Sequence, residues 1–290
     1  MGEKTDSVYA NYDLQNQRTL DGAITLVCQM GKVASISMDK TLSRFRPTRS
    51  VYHTHFLSDS GIAYLKKSLA EMKANYEKCT SRFQKSALVA GILHHNNMIR
   101  VSQFLQSFDG PIDVVTAFRD PVAREVSGVF QTAGVSHPNL LDKETGEVVC
   151  SQGVINHMEN YCANYDEAHC FASSWFDREL KSYFGIDLFE HPFPHDIGYL
   201  IVDNGRVRVL VMMFEKIATA FPSGAKEFFD LPFAPNLLRE NVRKNDDQYR
   251  EVLKSLHFER ADIEKIYESK YVRHFYSPEQ IQGFVQNWTS

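Results

Sequence analysis

Ala23-Ile24-Thr25-Leu26-Val27-Cys28-Gln29-Met30-Gly31-Lys32-Val33-Ala34-Ser35-Ile36-Ser37 is the stretch on which the fold turns. Ile24, Leu26 and Val27 form a short apolar run bounded by Gly22 and Gly31, the pattern of a buried strand ending in a tight turn. Ser35 to Arg44 continues as a helix. A turn from strand into helix presents free backbone N–H groups and the positive end of the helix dipole, which together favour an anion. Gly31 lets the backbone come close, Lys32 adds a point charge, and Ser35 and Ser37 add hydroxyl donors. The loop is not of the Walker type. Its upstream Gly is missing, and Val33 follows Lys32 where Ser or Thr would hold magnesium. For these residues alone an ordinary surface turn is the competing reading.

The same strand-turn-helix arrangement recurs downstream. Ile112 to Phe118 is the most strand-like run of the chain, and Asp120-Pro121 after it signals a helix with Pro at its first position. Arg119 therefore stands at a strand end and Ser127 two turns into the next helix, where both can grip one phosphate through a guanidinium fork and a hydroxyl. The alternative for Arg119 is a capping ion pair with Asp120 or Glu125, and for Arg124 a solvated helix face. Between the two units lie a strand at Ser50 to His53, a helix from Asp59 as N-cap to about Cys79, and a helix from about Ser86 to Phe108. This alternation predicts an α/β protein with a central parallel sheet flanked by helices, its ligands at the carboxyl ends of the strands. Tyr199 to Val202 and Val207 to Phe214 around Asp203-Asn204-Gly205 predict a small β-hairpin, and Tyr249, Leu253, Leu256, Ile263, Ile266 and Tyr267 a helical C-terminal region.

The 290 residues are 43% hydrophobic and contain no repeat or linker, which favours one domain over 21–290 after an N-terminal arm at 1–20. A net charge of −4 argues against a protein that coats nucleic acid, so an anionic ligand must be held by a local cluster. Five scattered cysteines without a CxxC pair read as reduced thiols. Met1 to Arg18 is polar, and no later stretch is apolar for long enough to span a bilayer, so the expectation is a cytoplasmic protein without a transmembrane segment.

Gly31-Lys32-Val33-Ala34-Ser35-Ile36-Ser37 joined to Phe118-Arg119-Asp120-Pro121-Val122-Ala123-Arg124-Glu125-Val126-Ser127 resembles the two elements that bind 3′-phosphoadenosine 5′-phosphosulfate (PAPS) in cytosolic and Golgi sulfotransferases. The resemblance is nearest to a bacterial sulfotransferase-like family labelled as capsular polysaccharide synthesis proteins. It extends to Trp175-Phe176-Asp177-Arg178-Glu179-Leu180, to Gly198-Tyr199 and to Ser269-Lys270-Tyr271-Val272-Arg273-His274-Phe275-Tyr276. It implies a three-layer P-loop-like fold and an enzyme that moves a sulfuryl group from PAPS to a hydroxyl of a saccharide or related alcohol. It further implies that the Gly31–Ser37 loop, with Lys32, Ser35 and Ser37, holds the 5′-phosphosulfate, while Arg119 and Ser127 hold the 3′-phosphate. Arg124 is placed with the same cofactor set. Ala34 and Ile36 depart from the small or hydroxylated residues common there and leave one donor missing.

Sulfuryl transfer needs a base for the acceptor hydroxyl and a cation for the leaving phosphate. His53 and His55, two apart on a strand, face the same way, and imidazole suits the base role. The His-x-His segment is similar to that of uronyl 2-O-sulfotransferases, which implies His55 as base with His53 supporting it or touching the acceptor. Lys32 stabilises charge on the leaving oxygen. A zinc reading of the pair lacks further ligands nearby in sequence, so no metal is expected. His94 and His95 face different sides of a helix and read as structural. Glu215 and the Arg239–Lys244 cluster are candidates for contacting acceptor or cofactor, and Trp175 and Phe176 either stack on a ring or belong to the core. The competing functions are a nucleotide-dependent kinase of the P-loop type and a non-catalytic PAPS- or glycan-binding protein of the same fold.

Overall fold

Ile112–Phe118 (β3) is buried along its whole length, including Asp113 and Thr116, as expected of a strand covered on both faces. The computed structural model describes residues 22–46, 49–136, 140, 151–238 and 246–290; the expected N-terminal arm, most of Val135 to Cys150 and the Arg239–Lys244 cluster lie outside them. In chain order the elements before β3 are Ile24–Cys28 (β1), Ser35–Phe45 (α1), Val51–Thr54 (β2), Asp59–Lys78 (α2) and Arg82–Gln106 (α3). After β3 come Pro121–Ser136 (α4), Ser151–Ala163 (α5) and Phe171–Trp175 (α6), which runs into a π-helical turn at Phe176–Lys181 and a last short turn at Ser182–Phe184 (α7). Tyr199–Asp203 (β4) and Val207–Met213 (β5) precede Ile217–Phe228 (α8), Asp246–Ser255 (α9), Arg260–Tyr267 (α10), Lys270–Phe275 (α11) and Pro278–Thr289 (α12).

The five strands form one sheet in the order β2-β1-β3-β5-β4. β1 pairs in parallel with β2 and β3, and β3 with β5; only β4 runs antiparallel, joined to β5 by the expected hairpin. Gly205 turns that corner with φ 93° and donates its N–H to Asp203 Oδ1 at 2.7 Å. The expected α/β architecture is therefore the one found. The order places the β1 and β3 carboxyl ends side by side and β2 next to β1, so the two candidate loops and the histidine segment share one sheet edge.

Two local expectations are corrected. Ser58, not Asp59, caps α2, its hydroxyl accepting the Gly61 N–H at 3.0 Å. Trp175 and Phe176 are each 1% exposed and belong to the main core, so neither offers a face to a ligand.

Candidate functional site

Three residues of the β1–α1 loop adopt left-handed backbone: Gly31 (φ 79°), Lys32 (φ 64°) and Ala34 (φ 63°). Two of them carry a Cβ, and a left-handed L-residue costs about 1 kcal/mol or more, so the surrounding structure holds this conformation in place. Its carbonyls explain how. Gln29 O meets His55 Nδ1 at 2.6 Å, Met30 O accepts from Arg124 Nη2 at 3.3 Å, and Lys32 O accepts from Arg119 Nη1 at 3.2 Å. Side chains from β2's end, α4 and the β3–α4 turn thus collect the carbonyls on one side of the loop. Ala34, the N-cap residue of α1, has no side-chain oxygen to cap the helix. An anion laid there meets backbone N–H groups and the helix dipole, the arrangement known as a nest. Ser35 and Ser37 are largely buried at the first turn of α1, Ile36 is half-buried, and Val33 is fully buried in the core.

The second turn is built from both ends of the chain. Asp120 caps α4 by accepting the Val122 N–H at 3.0 Å, and it also accepts Tyr267 Oη at 2.6 Å and Trp288 Nε1 at 3.1 Å. Its own N–H donates to Glu215 Oε1 at 2.9 Å, while Tyr276 Oη donates to Glu215 Oε2 at 3.0 Å. The Tyr271 hydroxyl accepts the Arg119 N–H at 3.1 Å and donates to the Arg119 carbonyl at 2.8 Å. Arg119 is therefore no capping ion pair: its guanidinium lies 4.5 Å over the Phe214 ring and reaches the Lys32 carbonyl of the β1–α1 loop. Nor does Arg124 lie on a solvated face. It bonds to Met30, pairs with Glu125 at 2.9 Å and stacks 4.8 Å from the Phe171 centroid, and His157 Nε2 stands 3.2 Å from the other oxygen of Glu125. Ser127 is 1% exposed, packed within the fold two turns into α4.

The histidines form a cluster larger than the sequence spacing suggests. His53 and His55 have ring centroids 4.8 Å apart, and His94 from α3 lies 5.3 Å from His55 and 5.7 Å from His53. A carbonyl only accepts, so the 2.6 Å contact to Gln29 O fixes the proton of neutral His55 on Nδ1 and leaves the lone pair on Nε2. Desolvation, then the nearby Arg124 and His95 charges, lower His55 to about 4, against the raising effect of the Gln29 bond. Desolvation lowers His94 to about 3 and His53 well below the usual imidazole range. All three are neutral near pH 7. Among the described residues no group of three or more His, Cys, Asp or Glu side chains is arranged to hold a metal ion.

The Trp175-to-Leu180 motif fastens this cluster. Trp175 Nε1 donates to the His55 carbonyl at 2.9 Å. Glu179, wholly buried in the π-helical turn, accepts the Leu57 and Ser58 N–H groups at 2.7 and 2.9 Å and the Ser58 hydroxyl at 3.0 Å. Glu215, offered by the sequence as a ligand contact, serves the Asp120 turn instead. Sequence reasoning missed the roles of His94, Glu179, Tyr267, Tyr271 and Trp288; the last four are buried polar groups whose hydrogen-bond partners lie far away in the chain, which local pattern does not reveal.

Fold and site define an α/β protein with a left-handed turn after β1, two arginines and an imidazole cluster at the carboxyl edge of its sheet. Residues 155–277 match the model of a family described as "Putative capsular polysaccharide synthesis protein". No curated protein and no solved structure is matched by the chain. The matched stretch contains Trp175, Glu179, Glu215, Tyr267, Tyr271 and Tyr276 but not Trp288, and it begins after the β1–α1 loop, Arg119, Arg124, His53, His55 and His94.

Proposed function

We propose that the protein is a PAPS-dependent sulfotransferase that sulfates a hydroxyl of a saccharide or a related alcohol. The observation that carries this reading is the docking of His55, Arg124 and Arg119 on the loop carbonyls of Gln29, Met30 and Lys32, which joins a base, two cations and an anion nest in one constellation. The residues fit the donor: the left-handed Gly31–Ala34 loop and the uncapped α1 suit a phosphosulfate, and the Arg119 guanidinium at the β3 end suits the 3′-phosphate. When bound, PAPS supplies the activated sulfuryl group. Lys32 neutralises charge that grows on the departing phosphate oxygen, and His55 Nε2 takes the proton of the attacking hydroxyl. Burial lowers His55 to about 4, and polyanionic charge placed beside it raises it, so the base gains strength with the donor in place. Val33, buried in the core, stands where a P-loop kinase needs a hydroxyl for magnesium, which favours sulfuryl over phosphoryl transfer.

Calorimetry with adenosine 3′,5′-bisphosphate, the product form of the donor, tests the reading against ATP and AMP. Binding should depend on the 3′-phosphate and weaken about tenfold to a hundredfold in Arg119→Ala, the range of a charge-assisted contact. Equal or tighter binding of ATP with Arg119 irrelevant would bring the kinase forward, and bisphosphate binding without PAPS turnover on any saccharide would leave a binding protein.

A further inference from the structure

The β3–β5 register ends at Phe118 against Met213, and Arg119 is the next residue. Its backbone leaves the ladder at a place where polar groups still need partners. Tyr271 of α11 supplies both: its hydroxyl accepts the Arg119 N–H at 3.1 Å and donates to the Arg119 carbonyl at 2.8 Å. The same oxygen lies 3.9 Å from Met30 Sδ in the turn after β1, so one phenol touches both strand-turn-helix units. Its own place is fixed. The Tyr271 ring is fully buried among Phe118, Phe176 and Phe275, with centroids 6.5, 6.3 and 5.5 Å away. Ser269 caps α11 by accepting the Val272 N–H at 3.3 Å. Burial pushes the phenol well above its usual range, so it keeps its proton and remains a donor.

We infer that Tyr271 is a positioning residue for the donor's 3′-phosphate: by holding the Arg119 backbone it aims the guanidinium, and so sets the preference for a nucleotide that carries that phosphate. This rests on the assignment of PAPS as donor with Arg119 at its 3′-phosphate. Three sets of contacts define where Arg119 points. Tyr271 holds its root, the Phe214 ring lies 4.5 Å from the guanidinium carbon, and the Lys32 carbonyl accepts from Nη1 at 3.2 Å. The Lys32 bond uses a guanidinium donor that a phosphate would also use. The Tyr271 bonds use none, so they hold with a ligand in place. A fork that meets phosphate oxygens in two parallel bonds tolerates little misalignment, and a displaced root misplaces both.

Calorimetry compares adenosine 3′,5′-bisphosphate with AMP, which lacks the 3′-phosphate, on the wild type, Arg119→Ala, Tyr271→Phe and the double variant, with a thermal melt of each. The expected result is a bisphosphate affinity about threefold to tenfold lower in Tyr271→Phe, the scale of a neutral hydrogen bond, with AMP affinity unchanged and no further loss when Tyr271→Phe is added to Arg119→Ala. Unchanged bisphosphate affinity, an equal loss for AMP, or losses that add in the double variant overturn the inference, because packing alone then accounts for Tyr271. Tyr271→4-aminophenylalanine answers for a Tyr271→Phe protein that does not fold. It keeps the ring and a donor but accepts poorly, so it should lose part of the 3′-phosphate preference, and a full wild-type preference overturns the inference. A wild type that binds AMP as tightly as the bisphosphate, or an Arg119→Ala protein with the full preference, overturns the donor reading and the inference together.

Discussion

The stretch from Ile24 to Ser127 and the stretch from Phe171 to Trp288 meet at one sheet edge and do different work there. The first supplies the groups with chemistry to offer: the left-handed loop, Arg119, Arg124 and the histidines. The second supplies hydrogen bonds that hold those groups: Trp175 on the His55 carbonyl, Glu179 on Leu57 and Ser58, Tyr271 on both backbone polar groups of Arg119, Tyr267 and Trp288 on Asp120. The family match covers residues 155–277 and so takes in Trp175, Glu179, Tyr267 and Tyr271 of the second stretch but not Trp288.

The comparison breaks most sharply at Lys32. On the proposed function, Lys32→Ala should cut PAPS turnover by a hundredfold or more, since its charge would be needed as the phosphate departs; equal turnover in the variant would move the chemistry elsewhere. Next is the bracing side. Glu179→Ala leaves the Leu57 and Ser58 N–H groups buried without their acceptor and should cost about 2–3 kcal/mol in a denaturant melt, with the His55 segment loosened. A variant as stable as wild type would remove Glu179 from the braces.

The smallest effect sharpens the boundary at Glu215. Desolvation and the neighbouring Asp120 carboxylate push this carboxyl up to about 7, against the bonds from the Asp120 N–H and Tyr276. The sign follows from the raised value. The folded state holds the proton more tightly than the unfolded chain, so stability is lost as pH rises from the ordinary carboxylate range through about 7. Solvent reaches the residue, which limits the loss to about 1 kcal/mol. Glu215→Gln should flatten the melting temperature between pH 5 and pH 8, and a pH profile identical to wild type would refute the shift.

Much of the first stretch was legible in sequence because its signals are local. Alternating apolar runs, Gly31 at a turn and Asp120-Pro121 at a helix start each reflect the conformation of a few neighbouring residues, and β3 is found at its expected bounds. The bracing residues were visible only as motifs. Nothing near Glu179 in the chain says that its partners lie at Leu57 and Ser58, and His94 and His95 read as structural because a helix alone does not reveal what packs against it.

By itself the sequence determined the α/β class, the two strand-turn-helix units and the histidine pair, since backbone preference, side-chain period and residue chemistry act within a few residues. Only the tertiary structure decided that Arg124 turns inward to Met30, that Trp175 and Glu179 secure the His55–Ser58 segment, and that His94 joins His53 and His55. Those contacts join residues far apart in the chain, and their geometry is set by how strands order in the sheet and how helices pack on it.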